Sequence, residues 1–155
     1  MSDDTHRKSN LYAFVQSALI VIFAGVFFFV PGRRLFAFPG AVIVGNVLSV
    51  AGLILMAAAF VPLRKVIQVS PEPRAEGHLV TSGIYARLRH PIYTGIVLLI
   101  IGLFLREPGL FVAVSGFMVI AFLLIKSRFE ERLLAERYAE YAQYRTRTWG
   151  VLPGM

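Results

Sequence analysis

The sequence contains no cysteine. That excludes a disulfide framework, a thiolate nucleophile and a cysteine-ligated metal. Charge is scarce too: 16% of residues are Asp, Glu, Lys or Arg, where a soluble domain carries about a quarter. The three histidines, His6, His78 and His90, lack metal-ligand spacing, so the sequence offers no metal site. No GxGxxG, no P-loop and no nucleophile elbow occurs. The opening MSDDTHRKSN carries two acids and no small-residue cleavage site follows, so it does not read as a signal peptide. There is no internal repeat and no low-complexity tract.

What is present is apolar: 57% of the 155 residues are hydrophobic. The length suits one membrane domain, residues 1–155, with two N-terminal spans in 1–63 and a motif-bearing core in 64–153. The net charge of +7 would suggest nucleic acid in a soluble protein. Here the charges fall between apolar runs, so membrane topology explains them and no nucleic-acid partner is expected.

Residues 11–30 form a run close to the length of about 20 that a spanning helix needs. Residues 40–61 form a second, with Pro39 in its first turn and Pro62 at its end. Gly45, Gly52 and Ala59 recur at seven-residue spacing, which offers one face for close helix contact. Residues 63–90 are polar and make the longest connection. Residues 92–105 and 110–125 are shorter apolar runs around the turn REPG. From Lys126 the chain becomes charged and aromatic, with Leu133, Leu134, Arg137, Tyr138, Tyr141 and Tyr144 along one helical side. The fold expected is an all-α integral membrane protein. It has four transmembrane helices, the last two a short hairpin, followed by a cytoplasmic amphipathic C-terminal helix. With four spans, the N-terminus, the 63–91 segment and the tail share one side and hold 13 of the 16 basic residues. That bias puts both termini in the cytoplasm, at a prokaryotic inner membrane.

Two groups carry candidate chemistry. The first is GIYARLRHPIYTG, residues 83–95. Pro91 suits the first turn of a helix and sets His90 at its N-cap. Such an end presents free N–H groups and partial positive charge, an anion site. Arg87 and Arg89 add charge; Tyr85 and Tyr93 add rings able to stack on a heterocycle. The second is Lys126, Glu130 and Glu131, of which Lys126 and Glu130 share a helical face. A carboxylate there holds a ligand ammonium or offsets repulsion among Lys126, Arg128 and Arg132; spacing alone leaves both open. Taken singly, Arg, His and Tyr beside a membrane read as interface anchors. The weaker stretch GHLVTSG, residues 77–83, reads as a loop or as backbone lying against a ligand.

GHLVTSGIYARLRHPIYTG, a short apolar hairpin, then EERLLAERYAEYAQYRTR resembles the isoprenylcysteine carboxyl methyltransferase family, to which the phospholipid methyltransferases are related. The resemblance covers about residues 64–153. It implies an enzyme using S-adenosylmethionine. His78, Leu79 and Val80 would line the cofactor, Tyr85 would contact it, and His90, Pro91, Ile92 and Tyr93 would form the pocket wall. Glu130 would bind the cofactor's methionine end, and Gln68 would match a loop residue near it. Lys126 falls where the family often faces the methyl acceptor with a basic residue. The chain departs from the eukaryotic pattern at Tyr138–Ala139, where Phe-Gly is usual, and at Arg147–Thr148–Trp149, where Arg-Val-Pro is common.

Methyl transfer from a sulfonium mainly requires positioning, because the donor is already activated. A carboxylate acceptor needs a cation to orient it, and Lys126 and Arg89 are the candidates. An amine acceptor needs a base, and Glu131 is the candidate. A small or lipid-like amphipathic acceptor would enter laterally from the bilayer. Two other readings stand beside this one. A membrane sterol or enone reductase would use NADPH, with Arg87 and Arg89 on its 2′-phosphate. A non-enzymatic accessory protein would use the same residues as anchors.

Overall fold

Four long or medium helices and one short one carry the fold of the computed structural model, which describes residues 3–30, 32–67, 79–152 and 154. α1 covers Asp3–Phe29, α2 Ala41–Ile67, α3 Pro91–Arg106, α4 Leu110–Arg137 and α5 Tyr141–Arg147. A 3₁₀ turn, Gly83–Ala86, precedes α3. No strand occurs among the described residues; there are two isolated bridges, Arg34 with Gly109 and Leu88 with Trp149.

The chain is an integral membrane protein. Arg7–Phe29, Ala41–Pro62 and Leu110–Arg137 are long and apolar enough to cross a bilayer. α3 is apolar but only 16 residues long. Length and composition therefore give three candidate spans and one shorter apolar helix where four spans were expected.

Two boundaries differ from the sequence reading. Pro62 does not end α2; it lies inside it. An interior proline removes one backbone hydrogen bond and clashes with the preceding turn. Membrane helices tolerate it because neighbouring groups re-satisfy the freed carbonyl. The proline packs at the 3₁₀ turn: a Cβ on Gly83 would lie 3.1 Å from Pro62 Cγ, and Gly83 has a φ of +62°. The second difference is at Lys126. The last apolar run and the charged tail are one continuous α4 of 28 residues. Residues 126–137 contain neither glycine nor proline, so nothing local stops the helix. It ends at Tyr138, and only the seven-residue α5 stands apart.

α2 and α3 pack antiparallel through their glycines. A Cβ at Gly52 would come 2.5 Å from the Gly95 carbonyl oxygen, and one at Gly45 would come 2.5 Å from that of Gly102. Ala59, third in the same stripe, is fully buried. The backbones touch, as small-residue membrane interfaces allow. α1 packs antiparallel on α4. Tyr12 stacks on Phe129 with ring centroids 4.7 Å apart, and Phe23 closes over Gly116. Phe23, Ile96, Val97, Ile100, Val112, Val119, Leu123 and Val151 form the core where these pairs meet.

Both ends of the bundle are tied across the chain. At one end Leu35 N–H donates to the Pro108 carbonyl at 2.7 Å, and Arg34 forks onto both oxygens of Glu107 at 3.1 Å. At the other, Trp149 N–H donates to Arg87 O at 2.9 Å and Arg89 N–H to Trp149 O at 2.8 Å. Thr94 Oγ1 donates to Val151 O at 2.8 Å. The C-terminal segment is thereby laid across the start of α3.

Candidate active site

His90 is the N-cap residue of α3, and Pro91 is its first helical residue. The imidazole makes no cap bond to its own helix. It turns instead toward α4, where Glu130 and Glu131 follow each other. Nδ1 lies 3.7 Å from Glu130 Oε2, and Nε2 lies 3.3 Å from Glu131 Oε1. The second contact is off the line a hydrogen bond needs, so the buried Nε2 has no hydrogen-bond partner. The His90 ring stacks on Tyr93 at 5.4 Å with planes 1° apart. Tyr93 lies one turn along α3, and its hydroxyl donates to Glu130 Oε1 at 2.8 Å.

Lys126 completes this group. Its ammonium is 3.6 Å from Glu130 Oε1 and 5.5 Å from the centre of the Tyr93 ring. It also donates to Gln16 Oε1 of α1 at 2.6 Å. The Lys126 side chain is 13% exposed. His90, Tyr93, Lys126 and Glu130, read from two separate motifs, therefore form one cluster.

Arg89 and Glu131 form a second, adjoining group. Arg89 Nε lies 2.8 Å from Glu131 Oε1, with side chains 3% and 14% exposed. Arg89 Nη1 donates to Arg145 O at 3.1 Å and to Thr148 O. Arg145 Nε is 3.7 Å from the other Glu131 oxygen. Arg89 was expected to face a methyl acceptor; its guanidinium is instead committed to Glu131 and to the carbonyls of the C-terminal segment. Glu131, the candidate base, is enclosed by two guanidiniums and His90. The pair holds the chain end to the helix start.

Beside this pair lies a cavity of about 220 Å³. Leu79, Val80 and Tyr85 line one side; Leu134, Tyr138, Tyr141 and Tyr144 line the other. Tyr144 donates to Tyr85 O at 2.7 Å, which fixes the α5 wall against the 3₁₀ turn. Tyr141 is 1% exposed, and its hydroxyl is buried without a hydrogen-bond partner. Burial pushes Tyr85 up from its ordinary value, and it pushes Tyr141 and Tyr144 up to about 12. These phenols stay neutral donors at physiological pH.

Among the other expected residues, Pro91 is fully buried at the α3 start, and Ile92 packs against the core. Gln68 and His78 lie outside the described residues. The sequence reading did not single out Gln16, Leu134, Tyr138, Tyr141 or Tyr144 as site residues. The last four were visible as a stripe on one helical side; Gln16 had no local signal. A larger cavity of about 320 Å³ lies at the opposite end, between Phe27–Val30 and the α3–α4 turn. The Arg34–Glu107 ion pair there is more than half exposed.

The phospholipid methyltransferases match this sequence over residues 41–141. The chain belongs to the phospholipid methyltransferase family. This family is related to the isoprenylcysteine carboxyl methyltransferases. The match begins at the first residue of α2, earlier than the motif boundary at residue 64, and ends at Tyr141. It takes in both clusters and leaves out α1 and most of α5. The cobalt-zinc-cadmium resistance protein CzcN of Cupriavidus metallidurans is 39% identical over 83 residues, which is 52% of this chain and 38% of that protein. The chain thus aligns with well under half the length of that relative. No solved structure matches. No metal-ligand group of three or more His, Cys, Asp or Glu occurs among the described residues.

Proposed function

We propose that this family member is an S-adenosylmethionine-dependent methyltransferase of the membrane, acting on a small or lipid-like amphipathic acceptor with an anionic head. Both termini are placed on the cytoplasmic side, with four spans counting α3. One observation carries the reading. A carboxylate, an imidazole and an ammonium converge beside a tyrosine-lined cavity, and two buried polar atoms, His90 Nε2 and Tyr141 Oη, have no hydrogen-bond partner. Buried polar atoms are rarely left so, and a ligand that meets both sides supplies what they lack.

The residues fit such a cofactor by chemistry. Neutral phenol rings and Leu79, Val80 and Leu134 suit a purine. Glu130 suits a ligand ammonium, and the start of α3 suits a carboxylate. When bound, S-adenosylmethionine supplies a methyl group on sulfur that needs no further activation.

The chain's own work is then positioning. Tyr93 holds Glu130 by its hydroxyl and keeps His90 parallel. Lys126 orients an anionic acceptor by charge-assisted hydrogen bonding. Arg89 and Glu131 act one step back, fixing the C-terminal segment as the cavity wall. A carboxylate or phosphate head asks for no base, and Glu131, hemmed in by cations, is poorly suited to be one. Of the two phosphate-binding candidates of the NADPH reading, Arg89 is committed to Glu131 and backbone carbonyls, which leaves that reading the exposed Arg87 alone.

Equilibrium binding of labelled S-adenosylmethionine and of NADPH to the purified full chain in detergent tests the reading. Saturable binding of the first and none of the second is expected. NADPH binding alone, or neither, overturns it.

A further inference from the structure

The ammonium of Lys126 has two claimants. Glu130, one turn along the same helix, is 3.6 Å away. Gln16, on α1, is 2.6 Å away. A direct ammonium–carboxylate hydrogen bond closes to about 2.7–2.9 Å. The neutral amide therefore holds the shorter contact and the charged group the longer one.

α1 is placed so that its Gln16 amide competes with Glu130 for the ammonium. Tyr12, one turn before Gln16, stacks on Phe129, one turn after the Lys126 level of α4. Its ring is also 5.8 Å from Phe122, one turn before that level. The aromatic contacts thus bracket Lys126 on α4 and fix Gln16 opposite it. The ammonium is drawn toward α1 while Tyr93 keeps its own 2.8 Å bond to the same Glu130 oxygen.

α1 lies outside the residues that match the family. Nothing in its residue pattern marks it as part of the site. We propose that Gln16 is a positioning residue: it keeps the Lys126 ammonium off Glu130, so that the carboxylate stays open to a ligand cation and the ammonium to an anionic acceptor head. This rests on the methyltransferase reading above. It makes the first span a part of the site.

The test is a set of labelled S-adenosylmethionine isotherms on the full chain in detergent. In Gln16→Ala the ammonium swings onto Glu130 and competes with the cofactor, so affinity falls about tenfold, the scale of one hydrogen bond to a charged group. Gln16→Glu keeps an acceptor oxygen at the same reach and recovers most of that loss. Lys126→Met placed in the Gln16→Ala background removes the competitor and also recovers it. Wild-type affinity in Gln16→Ala overturns the inference. So does a loss that persists in the double variant, which would mean that Gln16 acts through packing. No binding by the wild-type chain overturns the methyltransferase reading instead, and the two failures are told apart.

Discussion

Arg89 and Glu131, 42 residues apart, meet at 2.8 Å in a site that leaves the arginine 3% exposed. The same guanidinium reaches two backbone carbonyls, that of Arg145 in α5 and that of Thr148 just beyond it. A buried ion pair adds little over an apolar pair, but removing one partner leaves the other charge buried and unpaired, at a cost of about 3–5 kcal/mol. Arg89→Ala is expected to lower the thermal midpoint in detergent and to expose residues 138–152 to protease. Arg89→Lys is not expected to restore protection, since an ammonium lacks the planar fork that serves three acceptors at once. Protease resistance equal to wild type in Arg89→Ala would contradict the clamp.

The glycine contacts predict opposite outcomes at two helical positions. Gly52→Ala places a methyl 2.5 Å from the Gly95 carbonyl oxygen, so α2 and α3 must separate. The expected loss is about 1–3 kcal/mol, the usual cost of overpacking. Gly25→Ala in α1 meets nothing within 4 Å and gains helix propensity of up to about 1 kcal/mol. Thermal melts of the two variants in one detergent check the contrast.

Site variants should separate by role. Glu130→Ala, His90→Ala and Tyr93→Ala are expected to weaken S-adenosylmethionine binding roughly ten- to a hundredfold, from about 1.5–3 kcal/mol per hydrogen bond to a charged group. Lys126→Ala should leave cofactor affinity nearly intact and lower the rate of methyl transfer into lipid extract. Equal loss of cofactor affinity in Lys126→Ala and Glu130→Ala would remove the division of labour.

The tyrosine wall predicts alkaline behaviour. An unfolded tyrosine ionises near pH 10, whereas Tyr141 and Tyr144 are pushed up to about 12, chiefly by burial. The folded state therefore keeps its protons longer. That contribution to stability is complete below pH 10 and is lost as pH rises through about 12. Melting temperature should fall over this window, and Tyr144→Phe should flatten the fall. An unchanged slope in Tyr144→Phe would show that this phenol is not the group concerned.

Much of the architecture could be read from run lengths and spacing. The seven-residue Gly45–Gly52–Ala59 stripe does mark the α2–α3 contact, and RHP does open a helix with His90 at its cap. Local pattern failed where a distant partner decides. Pro62 stays inside α2, in a helix packed against α3 and the 3₁₀ turn. Lys126 looked like a boundary because hydropathy changes there, yet helix propensity does not. Arg89 looked like an acceptor contact because its partners at Arg145 and Thr148 lie more than fifty residues away. Gln16 is one amide in an apolar run, and only the α1–α4 register reveals what it touches.

The shortness of α3 sets a depth. At 1.5 Å per residue its 16 residues rise about 24 Å, against a hydrocarbon layer of about 30 Å. If α3 is the fourth span of the proposed topology, with Arg106 at one boundary, His90 would stop about 6 Å below the other. Under the proposed function, a lipid-like acceptor would then meet the methyl donor without being lifted toward water. Each methylene left in hydrocarbon would spare about 0.8 kcal/mol that extraction demands, so a short α3 would bring the reaction down to the lipid rather than the lipid up to the reaction.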